Sequence, residues 1–351
     1  MSERITIALD AMGGDRAPDM VIKGANIALQ RFPQAEFLLF GAESRIDPLL
    51  AKLPRLKARA TIRHTDEAIG GDAKPSAALR TGRRSSMRLA IDAVAAGEAH
   101  CIVSAGNTGA LMAMAKFALR MLPGIDRPAM ASFFPTRRGE SVMLDLGANV
   151  ECDAENLTQF ALMGEVFART VLGLLNPTVG LLNVGSEELK GNEAVRGAAL
   201  RLRAPGSGIR FHGFVEGNDI AAGTVDVVVT DGFTGNVAVK TAEGTARLFS
   251  DFLRGAFRHS LTARVGYLFA QPALRKLRER LDPRRYNGAV LLGLDGICVK
   301  GHGGSDTLAF ANAIGVAVDM EVNGFLEQIR SGLARISMLP RPQDKPQSAA
   351  L

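Results

Sequence analysis

Short apolar runs alternate with longer amphipathic stretches along most of the 351 residues. Several runs are apolar on both faces, which is typical of central strands in a sheet that helices cover on both sides. The runs predict strands at residues 5–10, 36–41, 60–64, 101–105, 131–134, 142–146, 179–184, 209–214, 225–230 and 290–294. The amphipathic stretches predict helices at residues 18–32, 76–96, 109–121, 154–174, 192–202, 236–258 and 306–329. This alternation predicts a three-layer α/β fold with a mostly parallel sheet.

The chain is expected to form one α/β unit over residues 1–339. The remaining stretch, residues 340–351, is rich in Pro, Gln and Ala and predicts a disordered tail. No apolar stretch reaches the roughly 20 residues that a membrane-spanning helix needs, and the first residues lack the features of a signal peptide. A cytoplasmic location is therefore expected.

Five glycine-rich polar turns follow predicted strands and precede predicted helices. They are DAMGGD (10–15), SAGNTGA (104–110), DLGANVE (145–151), NVGSEELKGNE (183–193) and TDGFTGNV (230–237). Ligands bind at the carboxyl ends of strands in open α/β sheets, and helix N-termini offer unpaired N–H groups to anions. The five turns therefore predict one shared rim that binds an anion or another polar ligand. The alternative for any single turn is a tight connection with a helix cap, since Asn, Ser and Asp also cap helices.

Several catalytic signatures are absent from the sequence. No G-x-G-x-x-G follows the first strand, and there is no P-loop and no G-x-S-x-G elbow. The five histidines and the three cysteines, Cys101, Cys152 and Cys298, have no metal-ligand spacing, and each cysteine is expected to be a small buried apolar residue. The turns instead offer amides, hydroxyls, backbone N–H groups and Lys190, which suit anion binding and the stabilisation of developing negative charge.

The net charge of +6 is a local feature of the chain. Residues 250–287 hold nine Arg or Lys and three acidic residues, 9 − 3 = +6, so the remaining residues are neutral in sum. Phe249, Phe252 and Phe257 recur at helical spacing, and a second apolar face follows Pro272. The segment therefore predicts a protruding basic amphipathic helical hairpin.

Three functions of this hairpin remain open. It could pack on a second copy, lie in the interface of an anionic membrane, or dock an acidic protein partner. Nucleic acid is a poorer partner, because stacking aromatics are not interleaved with the basic residues. The residues expected to make the membrane or partner contact are Val265, Tyr267, Leu268, Phe269, Arg275 and Lys276.

A set of motifs in fixed order covers nearly the whole chain. They are ALDAMGGDRAP, KPS at 74–76, SAGNTGA, DLGANVE, LLNVGSEELKGNE, GFVEGNDI, VTDGFTGNV and GLDGICVKGHGGS. In these motifs the chain resembles the PlsX family, the acyl-acyl-carrier-protein:phosphate acyltransferases of bacterial phospholipid synthesis. The resemblance implies a fold similar to isopropylmalate dehydrogenase and phosphotransacetylase, with the basic hairpin added.

The resemblance also implies the partners and the chemistry. It implies a homodimer that acts on acyl-acyl-carrier protein and inorganic phosphate, without a metal or nicotinamide cofactor. Phosphate would attack the thioester directly, with no covalent enzyme intermediate. The enzyme would associate peripherally with the inner face of the membrane, and a glycerol-3-phosphate acyltransferase would use the acyl phosphate.

By resemblance, Lys190 and Asn236 are the expected catalytic residues. Lys190 would neutralise phosphate charge or protonate the leaving thiolate, and Asn236 would donate to the oxyanion. From the sequence alone, Asn236 could equally be the N-cap of its helix. Lys190 could be a solvated lysine at a helix start, but an ammonium there opposes the helix dipole, which a bound anion would relieve. The expected phosphate and substrate contacts are Ser104, Asn107, Thr108, Gly109, Asn149, Asn183, Asp10, Gly13, Gly14, Asp231 and His302.

Roles within DAMGGD can be assigned more closely. Gly13 and Gly14 are predicted to make a tight turn with close backbone approach. Asp15 is predicted to cap the following helix, and Asp10 to orient neighbouring donors or Lys190. His302, in a later glycine-rich turn, is expected either to assist proton transfer or to make structural hydrogen bonds.

Three other functions stay open beside the acyltransferase. A phosphotransacetylase acting on acyl-CoA would need no basic hairpin. A decarboxylating dehydrogenase would need clustered aspartates for a divalent metal, and Asp226 and Asp231 are too few. A membrane-surface scaffold would explain the hairpin but not the five polar turns.

Overall fold

The computed structural model describes residues 4–280 and 288–336. The strands are β1 (Ile5–Asp10), β2 (Ala35–Gly41), β3 (Ala60–His64), β4 (Cys101–Ser104), β5 (Ala129–Thr136), β6 (Gly139–Leu144), β7 (Thr178–Leu182), β8 (Arg210–Val215), β9 (Val227–Val229), β10 (Ala289–Leu292) and β11 (Ile297–Lys300). The helices are α1 (Asp19–Arg31), α2 (Glu43–Leu50), α3 (Pro54–Lys57), α4 (Pro75–Thr81), α5 (Ser86–Ala95), α6 (Thr108–Leu119), α7 (Ala154–Leu172), α8 (Glu193–Arg203), α9 (Gly217–Ala222), α10 (Gly232–Arg258), α11 (Leu261–Arg280), α12 (Thr307–Val322) and α13 (Phe325–Ile336).

The eleven strands form one sheet in the order β3-β2-β1-β4-β11-β10-β5-β6-β9-β7-β8. Strands β3, β2, β1, β4 and β11 are mutually parallel, as are β6, β9, β7 and β8. Between these two groups, β10 pairs antiparallel with β11 and β5, and β5 pairs antiparallel with β6. The prediction of a mostly parallel sheet is confirmed, but the two parallel groups run in opposite directions.

Helices cover both faces of the sheet, which confirms the three-layer prediction. In β1, Ile7 and Leu9 join the large apolar core on one face, while Ala8 joins a separate core on the other face. Such a strand is buried on both sides, which explains its continuous apolar run. Within the large core, Phe167 of α7 stacks on Phe133 of β5 with ring centroids 5.3 Å apart.

Two predicted helices are each interrupted in the structure. The helix expected at 76–96 divides into α4 and α5, because α4 ends at Gly82 and Ser85 caps α5 by accepting a hydrogen bond from the Arg88 N–H. The helix expected at 306–329 divides into α12 and α13 at Gly324, which has a φ of +62°. Apolar periodicity continues across the second break, which the sequence pattern therefore did not reveal. The first break lies in the polar stretch at residues 80–86, where Gly82 was the available signal.

The segment with the excess positive charge, residues 250–287, begins in α10 and continues through α11. Its final part, residues 281–287, lies outside the described residues. In α10 the buried residues are Gly232 and Gly235, and Ala238 and Val239 are partly buried against the sheet. From residue 240 to the end of this 27-residue helix, no residue is buried. Helix α11 packs against α10, where the rings of Phe257 and Tyr267 meet edge to face at 5.3 Å. The docking role of this pair of helices stays a prediction, and the predicted tail 340–351 also lies outside the described residues.

None of the helices in the described ranges is both long and apolar enough to cross a membrane.

Candidate active site

The five glycine-rich turns lie at two rims of the sheet. We define the first rim as residues 10–15, 104–110 and 301–305, which follow the neighbouring strands β1, β4 and β11. We define the second rim as residues 145–151, 183–191 and 230–237, which follow β6, β7 and β9, also neighbours. Because the two strand groups run in opposite directions, the carboxyl ends of one group lie at the same end of the sheet as the amino ends of the other group. The prediction of one shared rim is therefore wrong, and β4 and β9 are five strand spacings, roughly 24 Å, apart.

The first rim contains a buried polar group formed by Asp10, Ser104 and Lys300, the last residues of its three strands. Ser104 Oγ donates to Asp10 Oδ2 at 2.7 Å, and Ser86 Oγ donates to Asp10 Oδ1 at 2.6 Å. Lys300 pairs with Ser104 in strand register, and its ammonium donates to the Gly301 carbonyl oxygen. Burial raises the pKa of Asp10 and lowers the pKa of Lys300 to about 8, while the nearby Asp10 partly opposes the latter shift.

Lys300 was not singled out from the sequence. Its signal was a lysine at the end of the apolar run ICVK, directly before a glycine-rich turn. Asp10 cannot orient Lys190 as one prediction held, since β1 and β7 are seven strand spacings, roughly 34 Å, apart in the sheet. The carboxylate instead accepts from Ser86 and Ser104.

The DAMGGD turn is a close-packed connection. Gly14 has a φ of +105°, and a Cβ on Gly13 would lie 2.8 Å from the backbone nitrogen of Gly106. Asp15 donates its backbone N–H to the Gly303 carbonyl at 3.0 Å. Helix α1 begins at Asp19, after an N-cap residue that makes no side-chain cap bond. The prediction that Asp15 caps this helix is therefore wrong.

Two polar side chains of the turn at 104–110, those of Ser104 and Asn107, are engaged within the protein. Asn107 caps α6, since its Oδ1 accepts from the Ala110 N–H at 2.8 Å. Its Nδ2 donates to the Gly71 carbonyl at 2.7 Å and to the Ala73 carbonyl at 3.2 Å. The first N–H groups of a helix have no partner within the helix, so the turn can present the N–H groups of Thr108 and Gly109 and the exposed Thr108 hydroxyl to an anion. The structure thus gives the predicted Asn107 side chain a structural role.

His302 closes its own turn at the first rim. Its Nδ1 accepts from the Gly304 N–H at 3.1 Å, and its carbonyl accepts from the Ser305 N–H at 3.0 Å. The imidazole itself is exposed. These bonds agree with the structural alternative for this residue and do not test a role in proton transfer.

At the second rim, a wholly buried carboxylate organises the turn after β6. Asp145 Oδ1 accepts from the backbone N–H groups of Met130, Gly147 and Ala148 at 3.0, 3.2 and 2.9 Å. Its Oδ2 accepts from Asn149 N and Nδ2 at 2.7 and 2.8 Å. The side-chain amide of Asn149, a predicted substrate contact, is therefore hydrogen-bonded within the turn. Asp145 is a site residue that the sequence analysis missed. The sequence feature that could have identified it is an acidic residue directly after an apolar strand and before a glycine.

Helix α10 begins against this turn. The Gly232 N–H donates to the Asn149 carbonyl at 2.7 Å, and a Cβ on Gly232 would lie 2.5 Å from that oxygen. Asp231 is the N-cap, and its Oδ1 accepts from the Thr234 N–H at 2.8 Å. The alternative reading of Asn236 as the cap is therefore wrong, because this residue lies one turn inside the helix.

The Asn236 side chain lies beside the turn at 145–149. An ideal Cβ on Gly147 would be 3.8 Å from Asn236 Cβ, which is ordinary van der Waals contact. Asn236 is exposed, and among residues 4–280 and 288–336 its side-chain amide has no hydrogen-bond partner. The amide is therefore available to a ligand.

Lys190 lies in the connection between β7 and α8, which internal hydrogen bonds hold together. Asn183 Nδ2 donates to the Lys190 carbonyl at 3.2 Å, and the Lys190 N–H donates to the Glu187 carbonyl at 3.0 Å. Gly191, with a φ of +90°, packs against the Asn183 side chain. The Lys190 side chain is exposed, and no ion pair joins its ammonium to any part of the chain that the structure describes. Asn183 thus shapes the backbone that presents Lys190.

Exposed apolar side chains accompany these two polar groups. All three turns of the second rim carry them: Val150, Val184, Leu189, Phe233 and Val237 are each about half exposed or more. The described turns of the first rim carry no large exposed apolar residue. The second rim is therefore amphipathic, whereas the first rim is polar.

The cysteines and the acidic residues indicate neither a thiol nucleophile nor a metal centre. Cys101 and Cys298 are buried, and burial raises the pKa of Cys152 and of Cys298 to about 12, so both remain thiols at neutral pH. Across the described ranges, no three His, Cys, Asp or Glu side chains are grouped so as to hold a metal ion.

The fold is that of the phosphotransacetylases. A phosphotransacetylase from Streptococcus pyogenes matches 92% of this chain and 95% of its own with a TM-score of 0.60 at 16% identity. A branched-chain phosphotransacylase from Enterococcus faecalis V583 matches 91% of this chain and 99% of its own with a TM-score of 0.58 at 14% identity. The predicted α/β fold, similar to that of the phosphotransacetylases, is confirmed, whereas the protruding basic hairpin stays a prediction.

Sequence comparison shows the family. The model of the family described as fatty acid synthesis protein matches residues 5–328. A phosphate acyltransferase of Rhodospirillum centenum is 70% identical over 336 residues, 96% of this chain and 95% of the relative. A phosphate acyltransferase of Rhodospirillum rubrum is 61% identical over 340 residues, 97% of both chains. The chain belongs to this PlsX family, and the prediction of an acyltransferase enzyme is confirmed.

Proposed function

We propose that this enzyme transfers a long-chain acyl group from an acyl-carrier-protein thioester to inorganic phosphate, giving an acyl phosphate for phospholipid synthesis. The observation that supports this proposal most directly is the combination of polar and apolar side chains exposed at the second rim. There an exposed ammonium, Lys190, and an exposed amide, Asn236, lie among exposed apolar side chains. The names of the relatives, phosphate acyltransferases, support the same reaction.

The proposed chemistry needs no enzyme nucleophile. A phosphate oxygen attacks the thioester carbonyl carbon and forms the new C–O bond, and the carbonyl oxygen becomes an oxyanion. The oxyanion then collapses, the C–S bond breaks, and the thiolate leaves with a proton. Lys190 holds the phosphate dianion and supplies the proton, while the Asn236 amide donates to the oxyanion. The positive end of α10 adds to the stabilisation of negative charge.

Phosphate must lie within roughly 3 Å of the carbonyl carbon to react. The phosphate and the residue that donates to the carbonyl oxygen must therefore lie at the same rim. Since Asn236 is assigned to that oxygen, we assign the attacking phosphate to the second rim, with Lys190 and Asn236. The first rim then contacts another anionic part of the acyl donor through the turn at 104–110. In this assignment Ser104 and Asn107 shape the turn, and the backbone of Thr108 and Gly109 faces the donor.

Membrane and partner contacts are proposed for the helices α10 and α11. Phe249, Phe252, Leu268 and Phe269 are each more than half exposed. The basic residues Arg275 and Lys276 are exposed near them and suit anionic headgroups or an acidic carrier protein. In a homodimer, two such surfaces would act together and increase membrane avidity.

The experiment is a product assay with matched variants. The enzyme is incubated with long-chain acyl-carrier protein and inorganic phosphate, with and without chelator, and acyl phosphate is measured. Lys190→Ala and Asn236→Ala are each expected to reduce turnover by about 10²–10³, the range for one lost oxyanion-hole donor. Lys116→Ala, which removes an exposed lysine on α6, is the control and is expected to keep wild-type turnover.

The same assay decides the donor. Acyl-CoA replaces acyl-carrier protein in a parallel reaction, and a preference for acyl-CoA would favour the phosphotransacetylase alternative. Absence of acyl phosphate with either donor would contradict the proposed function.

A further inference from the structure

The second rim holds a buried carboxylate whose position suggests a role beyond stability. We propose that Asp145 is a positioning residue, which sets the place of Asn236 beside the reacting thioester by way of the turn at 145–149. The proposal rests on the reaction proposed above, because it assigns Asn236 to the oxyanion.

Asp145 is unsuited to direct contact with substrate. Its side chain is wholly buried, and five N–H groups already occupy its two oxygens at 2.7–3.2 Å. Hydrogen bonds to a charged acceptor are shorter and stronger than neutral ones. The carboxylate therefore fixes the shape of its turn and leaves no acceptor site for a reacting group.

The turn transmits this shape to α10 through tight backbone contacts. The Asn149 carbonyl accepts from the Gly232 N–H at 2.7 Å, and Gly235 lies directly on the Asp145 carbonyl oxygen. Gly147, in the same turn, lies beside the Asn236 side chain. A displaced turn must therefore displace the first two turns of α10, which carry Asn236.

An amide at position 145 isolates this effect. Asp145→Asn keeps the size of the side chain but replaces one acceptor oxygen with an NH₂ group, which faces N–H donors on either side. The turn must then move to avoid the donor–donor contact. A displacement of about 1 Å at a reacting group can reduce turnover by roughly 10²-fold.

Asp226 provides the matched control. Its Oδ2 accepts from the Thr178 N–H and from Thr178 Oγ1, both at 2.7 Å. It lies before the amino end of β9, at the edge of the sheet opposite the second rim. Asp226→Asn therefore disturbs a partly buried carboxylate that holds a backbone N–H and a hydroxyl, without touching the turn at 145–149.

The test is a double-mutant cycle between positions 145 and 236, read in kcat, the phosphate KM and thermal stability. Asp145→Asn is expected to lower kcat by about 10² with the phosphate KM within about threefold. In the Asn236→Ala background, the same change is expected to lower kcat by less than about threefold, because the residue through which it acts is gone. Asp226→Asn is expected to keep wild-type kcat although it also loses stability.

Three results would overturn the proposal. The losses of the two single variants multiply, Asp226→Asn lowers kcat as much as Asp145→Asn, or Asn236→Ala keeps full activity. The last result would also remove Asn236 from the proposed mechanism, whereas multiplying losses would leave that mechanism intact. Should Asp145→Asn fail to fold, Asn149→Ala removes a single side-chain donor to Oδ2 and enters the same cycle with the same criteria.

Discussion

Gly235 of α10 lies directly on the carbonyl oxygen of Asp145, with no space for a side chain between them. This contact joins the turn after β6 to the helix that carries Asn236. The glycine is required by packing and not by backbone conformation, since its φ is not positive. The turn after β6 and the first two turns of α10 are therefore packed directly against each other.

Gly235→Ala is expected to destabilise the fold by about 1–3 kcal/mol, because the added methyl group forces the helix away from the turn. Its activity should fall as well, since Asn236 moves with the helix. Gly244→Ala is the control in the same helix, where an added Cβ would meet nothing within 4 Å. That change should stabilise the protein by up to about 1 kcal/mol. Chemical denaturation measures both, and an equal effect at the two positions would contradict the packing role.

Lys300 gives the protein a specific pH dependence. Burial lowers its pKa from 10.5 to about 8, so between these values the unfolded chain binds a proton that the folded chain lacks. Stability contributed by this group therefore rises as the pH increases from 8 to 10.5, by at most about 3 kcal/mol. Asp10 and Asp15 favour the ammonium, whereas Cys298 has a pKa of about 12 and stays neutral over most of this range.

The measurement is the free energy of unfolding of wild type minus that of Lys300→Met, followed across this pH range. Subtracting the variant cancels the contributions that other groups make to both proteins. The difference should rise with pH. A flat difference would show that Lys300 keeps an ordinary pKa in the folded protein, and a falling difference would show that its pKa is raised. Either result would contradict the prediction.

The exposed apolar residues of α11 should mediate vesicle binding. Leu268→Glu combined with Phe269→Glu places two carboxylates where 66% and 83% of each side chain is exposed, so folding should be preserved. The variant should no longer sediment with anionic vesicles, while turnover of a soluble acyl donor stays at the wild-type value. Leu175→Glu, at an 87% exposed residue outside these helices, should bind as wild type does. Retained binding of the double variant would reject this surface as the membrane contact.

The sequence predicted the layers of the fold well, because burial on both faces requires apolar runs such as that of β1. It could not predict strand direction, because an apolar run reads alike in either orientation. The antiparallel pairs that β10 and β5 make reverse the strand direction between the two parallel groups. The expected single rim is therefore divided into two. Glycine-rich turns marked both rims correctly, since close approach excludes a Cβ whichever way the strand runs.

The roles of individual polar residues were harder to predict. Polar residues in glycine-rich turns can bind a ligand or stabilise the turn itself. The structure shows the second role for three of them: Asn107 and Asp231 are helix caps, and Asn149 donates within its turn. The sequence around Asn236 fits an N-cap equally well, whereas α10 begins four residues earlier, at Gly232. The burial of Asp145 and Lys300 cannot be predicted from the sequence, because it depends on packing between strands distant in sequence.

Acyl transfer to phosphate at the second rim requires Lys190 in the proposed mechanism. Acyl-phosphate formation by wild type, Lys190→Ala and Lys116→Ala should therefore be compared, with long-chain acyl-carrier protein and saturating inorganic phosphate. Lys190→Ala should fold normally and turn over about 10²–10³ times more slowly than wild type, while Lys116→Ala should keep wild-type turnover. Wild-type turnover by Lys190→Ala would show that the reaction does not take place at the second rim by this mechanism.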